Sequence, residues 1–191
     1  MNSILQWGLC FLGFTGILWP HPNATVRTAA PAAQRSVGQE LDVWVGKTEE
    51  LVVPTADAMP EEKYSFAPSP SLGEFKAVRT FAQQVKHFSA TNYILAARVL
   101  GEKPPHDEVN ETAPESIRTK AEIMEYLKGS FAYLHRAAAA INEANEAELI
   151  GPKGKMTRPG AMVDALAHSQ NHYGQMVVYL RMSGIVPPAS R

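Results

Sequence analysis

With 191 residues, the chain is long enough for one domain with a buried core. Its 18 basic residues nearly cancel its 19 acidic ones, leaving a net charge of -1, so no basic field recommends a nucleic-acid partner. Cys10 is the single cysteine, which excludes a disulfide framework and a thiolate metal cage.

Residues 4–19 form an apolar run from Ile4 to Trp19, shorter than the roughly 20 residues that span a bilayer. It resembles the core of a secretory signal, with Ala30-Pro31-Ala32 as an A-x-A cleavage point. The expectation is a signal peptide over residues 1–32 and export to the periplasm or cell exterior, with no stable membrane span once it is removed. Met-Asn-Ser at the start carries no Lys or Arg, and Ala32 lies far from the apolar run, so a misplaced start codon or an uncleaved anchor is the alternative. Removal would take Cys10 with it, so any metal site must use His, Asp, Glu or water. Asn23-Ala-Thr25 and Asn110-Glu-Thr112 match the glycosylation pattern, which short stretches often do by chance.

A single domain is expected over residues 33–191. Leu41, Trp44, Val45, Leu51, Val52, Ala58 and Met59 recur at helical spacing, with Pro54 predicted to kink or divide the helix. A proline-rich connector follows, Pro60 to Pro70. Ser71-Leu-Gly-Glu74 reads as a capping box opening a second helix, with Val78, Phe81, Val85, Phe88, Leu95 and Val99 on one face and Gly101 at its end. Thr112-Ala-Pro-Glu115 reads as a second such box, leading to Ile117, Ala121, Met124, Leu127, Phe131, Leu134, Ala138 and Ile141. After a Gly151–Gly154 loop, Thr157 leads into a last helix with Leu166, Tyr173, Val177 and Leu180 on a stripe, stopped by Gly184 and Pro187-Pro188. No strand, phosphate loop or nucleophile elbow stands out. Four helices with connections of about ten residues give an all-α four-helix bundle.

His168 and His172 stand at i and i+4, so both imidazoles lie on one face of the last helix, where they can share an ion. The spacing alone also fits two half-exposed histidines. His87, in the second helix, is the natural third ligand. On a helical wheel His87 and His172 fall roughly 120° from their apolar stripes and His168 roughly 160°. That placement argues against buried core histidines; it suits either surface histidines or a wet cleft between helices 2 and 4. His21, His106 and His135 are weaker candidates. Asp164 could orient His168 from one turn away, or be a first-turn carboxylate favoured by the helix dipole.

These residues carry a resemblance. Phe81-Ala-Gln-Gln-Val-Lys-His87-Phe, the His168-Ser-Gln-Asn-His172-Tyr-Gly-Gln-Met-Val-Val-Tyr-Leu-Arg run, the Met59–Pro68 connector and the closing Gly184-Ile-Val-Pro-Pro resemble the DinB/YfiT-like superfamily (the DNA-damage-inducible DinB family) from about Val43 to Pro188. The resemblance implies a mirror variant of the up-and-down bundle. It implies a divalent metal, zinc, nickel or iron, held by His87, His168 and His172. It also implies metal-dependent chemistry on an unidentified small molecule, as a hydrolase or a thiol-dependent transferase. Tyr173, Tyr179 and Asp164 are the candidate bases. The alternative is a non-catalytic metal- or ligand-binding bundle or dimerisation module, and a homodimer is kept as a candidate assembly because a leftover apolar face can pair two copies.

Overall fold

Each of the four helices starts at a hydroxyl that accepts from the backbone three residues on. Ser36 opens α1 (Val37–Ala58), Thr80 opens α2 (Phe81–Leu100), Thr119 opens α3 (Lys120–Ala139) and Thr157 opens α4 (Arg158–Met182). In the first three the side chain at the third helical position, Gln39, Gln83 or Glu122, reaches back to complete a capping box. The computed structural model describes residues 34–108 and 110–191; the expected signal peptide and His21 lie outside the described residues.

Two helix starts differ from the sequence expectation. Ser71 and Thr112 open nothing: Ser71 falls in a 3-10 turn, Pro70–Leu72, and Thr112 in a loop. The true starts lie nine and seven residues later, because Thr80-x-x-Gln83 and Thr119-x-x-Glu122 satisfy the same cap pattern directly before the core-facing turns. Pro54 does not divide α1, which runs unbroken to Ala58. Pro54 and Glu50 are both exposed, so the Glu50 carbonyl that loses its donor can turn to solvent. The loop before α4 carries a short antiparallel hairpin that the sequence did not announce, β1 (Leu149–Ile150) against β2 (Met156–Thr157).

The helices form a bundle in which α1 and α2 each pack on both α3 and α4, so that α1 faces α2, and α3 faces α4, across the diagonal. Phe81, Phe88, Phe131, Leu127, Leu134, Met162, Met176 and Leu180 fill the centre, each fully buried. Gly38 allows the start of α1 to meet the end of α3: a Cβ there would stand 2.6 Å from the carbonyl oxygens of both Ala138 and Ile141. A polar line also crosses the core. Ser169 of α4 donates to Asn92 of α2 (3.0 Å), and Asn92 reaches Ser130 of α3 (3.4 Å), which sets the mutual register of three helices. No helix among the described residues is long and apolar enough to cross a membrane.

Candidate metal centre

The α2–α4 contact brings His87, His168 and His172 together, as the spacing suggested. One ligand atom from each lies within 4.8 Å of the others, and they are the sole group of this kind among the described residues. The ring centroids are 5.0 Å (His87–His168), 4.9 Å (His87–His172) and 4.6 Å (His168–His172) apart. The wheel placement needs correcting. His87 and His172 are buried, at 8% and 5% exposure, and only His168 is half-buried. The inward stripe of α4 is Met162, Ala165, Ser169, His172, Met176 and Tyr179, while Leu166, Tyr173 and Val177 are half-buried beside it. Hydrophobic periodicity misread this helix because its innermost face carries the polar groups of the site. On α2, neighbours on two sides cover nearly every residue from Gln84 to Val99, so a single stripe cannot describe it.

Hydrogen bonds fix the tautomers of two of the imidazoles. His87 donates from Nδ1 to the backbone carbonyl of Glu111 at 3.0 Å. His172 donates from Nδ1 to Gln84 Oε1 at 2.5 Å. Gln84 in turn donates to Gln175 (2.8 Å), and Gln175 donates to Asn171 (2.8 Å), so the amide is turned with its oxygen toward His172. With Nδ1 protonated, Nε2 offers its lone pair to the centre, which is how histidine ligands of metals are usually held. His168 Nδ1 is buried and has no partner among the described residues.

His168 Nε2 and His172 Nε2 face each other at 3.1 Å. Two lone pairs cannot meet at that separation, so a proton or a cation must lie between them. Ligand nitrogens on one tetrahedral zinc ion stand about 3.4 Å apart, given zinc–nitrogen bonds of about 2.05 Å. The pair therefore fits a shared ion within a few tenths of an ångström. The electrostatics agree. Burial first, then the neighbouring His168 and His87 rings and the Arg79 charge, hold His172 down to about 3. Burial and the His87 ring also lower His168, against the smaller opposing pull of Glu111 and Asp164. Both are neutral at pH 7, the form that binds a metal.

Gln84 and Glu111 contact the histidine cluster, and the sequence reading missed both. Gln84 had a signal, standing one turn before His87 on the same side of α2. Glu111 had none beyond the Asn-Glu-Thr pattern, which was read as a glycosylation match. It adopts a left-handed backbone, φ 53°, unusual for a residue with a side chain. That turn aims its carbonyl at His87 Nδ1 while its carboxylate comes within 3.8 Å of His87 Nε2. The other candidates have different roles. Asp164 is exposed and forms no hydrogen bond with His168, acting on it only through charge. Tyr179 donates to the backbone carbonyl of Arg79 at 3.0 Å. His106 packs on Tyr93 and Tyr126, and His135 bridges Asp42 (2.6 Å) and Glu49 (3.3 Å); neither belongs to the three-histidine group.

The Gln84 contact gives a direct expectation. Gln84→Leu keeps the volume but removes the acceptor that fixes the His172 ring, and loss of such an outer partner typically weakens metal binding about 10–100-fold. Competition against a coloured chelator measures this; unchanged affinity would show that Gln84 does not orient the ligand.

A cleft of about 700 Å³ opens on the His87 side of the cluster, lined by Arg79, Gln83, Gln84, Lys86, His87, Glu111 and Gln175 among others. No curated protein matches the chain. The family model of the DinB superfamily matches residues 46–176, a span that holds all three histidines together with Gln84 and Glu111, and the chain belongs to the DinB superfamily.

Proposed function

We propose that the protein is a divalent-metal-dependent enzyme acting on a small molecule, by hydrolysis or by thiol transfer. The observation that carries this reading is the convergence of three imidazoles beside an open cleft, two of them with Nδ1 already engaged. His87, His168 and His172 would hold the ion. Three protein ligands are the number that leaves a position open for chemistry, whereas structural sites take four. When bound, the ion supplies a Lewis acid that eases proton loss from a water or a thiol. Gln84 and the Glu111 carbonyl keep two of the rings in one tautomer. The Glu111 carboxylate, which lines the cleft 3.8 Å from His87 Nε2, is the group placed to accept a proton. Phe88 stacks on His172 at 5.9 Å and closes the inner side of that ring against the core. Imidazole donors alone do not choose among zinc, nickel and iron.

The rival reading is a bundle that binds metal without catalysis; the cleft beside His87 favours the enzyme, because a purely structural ion needs no access. The first test is elemental analysis of the purified protein beside the His87→Ala/His168→Ala/His172→Ala variant. The expected result is near-stoichiometric metal in the parent and none in the variant. A parent that takes up no zinc, nickel or iron(II) would overturn the proposal.

A further inference from the structure

The cleft is lined by two cations, Arg79 and Lys86, against a single carboxylate, Glu111. They are not equivalent. The Lys86 ammonium is tied to the Ile117 carbonyl at 2.6 Å. The guanidinium of Arg79 is exposed and makes no hydrogen bond or ion pair with any described residue. Arg35, Arg118, Arg136, Arg158, Arg181 and Arg191 each donate to an oxygen of the protein. Arg98 does not, but it sits in the last turn of α2 and is not among the residues lining this cleft.

The backbone that presents Arg79 is fixed although the side chain is free. Tyr179 of α4 holds its carbonyl at 3.0 Å, Thr80 caps α2 directly after it, and the Phe81 amide donates to the Phe66 carbonyl at 2.8 Å. Tyr179 is on the same inward stripe as His172, two turns further along α4. The helix that supplies two of the histidines therefore also positions Arg79. A cation held at the cleft by an anchored backbone, and left without a counter-ion among the described residues, is completed by an anion from outside.

We infer that the cleft takes a small anionic substrate, whose carboxylate or comparable oxyanion is gripped by Arg79 while a second group of the same molecule reaches the three-histidine centre. The planar guanidinium fork matches a carboxylate with two parallel hydrogen bonds. Lys86, which also lines the cleft, adds field of the same sign. Glu111, whose carboxylate lies 3.8 Å from His87 Nε2, repels the anion and so favours its seating at Arg79. The inference rests on the metal-dependent reading of the same site.

The test uses the protein loaded with cobalt(II), whose visible spectrum changes when a thiolate binds. The probes are 3-mercaptopropionate and its neutral twin, 3-mercaptopropionamide, titrated into the parent, Arg79→Gln and Arg79→Lys. The acid is expected to bind the parent at least about tenfold tighter than the amide, the range of a charge-assisted hydrogen bond. Arg79→Gln should close that gap and leave the amide's affinity where it was, and Arg79→Lys should restore part of it. Cobalt uptake without preference for the acid, with no response to either probe, or with a preference that survives Arg79→Gln, overturns the anion grip and leaves the metal centre standing. A parent that takes up no cobalt overturns the metal reading, and this inference with it.

Discussion

His168→Ala should strip the protein of its metal while leaving its helices in place. His168 is half-buried, its Nδ1 bonds to nothing among the described residues, and its Nε2 points at the partner ring of His172. The side chain therefore does little for the fold beyond filling space. Its removal leaves His87 and His172, two ligands on different helices, without the third that closes the set. Loss of an outer partner already costs up to about 100-fold in affinity, and loss of a direct ligand should exceed that. Alanine is also the best helix former, so α4 keeps its backbone. The expected outcome is no retained metal after dialysis against a competing chelator, beside an unchanged far-ultraviolet circular dichroism spectrum. Full occupancy in the variant would remove His168 from the ligand set. Loss of helicity would mean that it is a core residue after all.

Acid should destabilise the metal-free protein well before its carboxylates titrate. His172 is held down to about 3 in the folded state, against about 6.5 in the unfolded chain. A histidine with a depressed folded value binds its proton only in the unfolded state between those two values. Its neutral form thus costs the fold nothing above pH 6.5, and the penalty grows as pH falls below it. One such group costs about 1.4 kcal/mol per pH unit, so roughly 2 kcal/mol by pH 5. His168 is shifted in the same direction and adds to it. His135 opposes the trend. Burial pulls it down, but its hydrogen bonds to Asp42 and Glu49 and their charges leave it raised overall. Its contribution is present below pH 6.5 and fades as pH rises through its folded value. All three groups of that cluster are about a third exposed or more, which screens the pairing and keeps its share small. The melting temperature of the metal-free protein should therefore drop between pH 7 and pH 5, and more steeply in His135→Ala. Bound metal should be released over the same range, since protons and the ion compete for the same nitrogens. A flat melting curve from pH 7 to pH 5 would show that His172 takes up a proton in the folded state.

Much of this molecule could be read along the chain. Helix content follows from periodicity and from hydroxyl caps, both local properties: whether Thr157 can accept from Gly160, or Gly184 end a helix, depends on a few adjacent residues. The i, i+4 pair on α4 is equally local, because helical geometry alone sets His168 and His172 on one side. What the sequence left open depended on which surfaces meet. Four capping patterns were available between Ser71 and Thr119, and only the core contacts of Phe81 and Ile123 decide that the later ones start α2 and α3. His172 looks peripheral on a wheel because hydropathy counts imidazole as polar. It is central because α2 brings Gln84 to satisfy its Nδ1, a contact across 88 residues. Glu111 sits in a loop with no period at all, and its role exists only because a left-handed turn lays its carbonyl on His87, 24 residues away. The chain by itself determined the number of helices and the pairing of His168 with His172 on one face of α4. The tertiary structure decided their depth, their tautomers and the charge of the cleft, since burial and long-range hydrogen bonds are properties of neighbours that the local sequence does not contain.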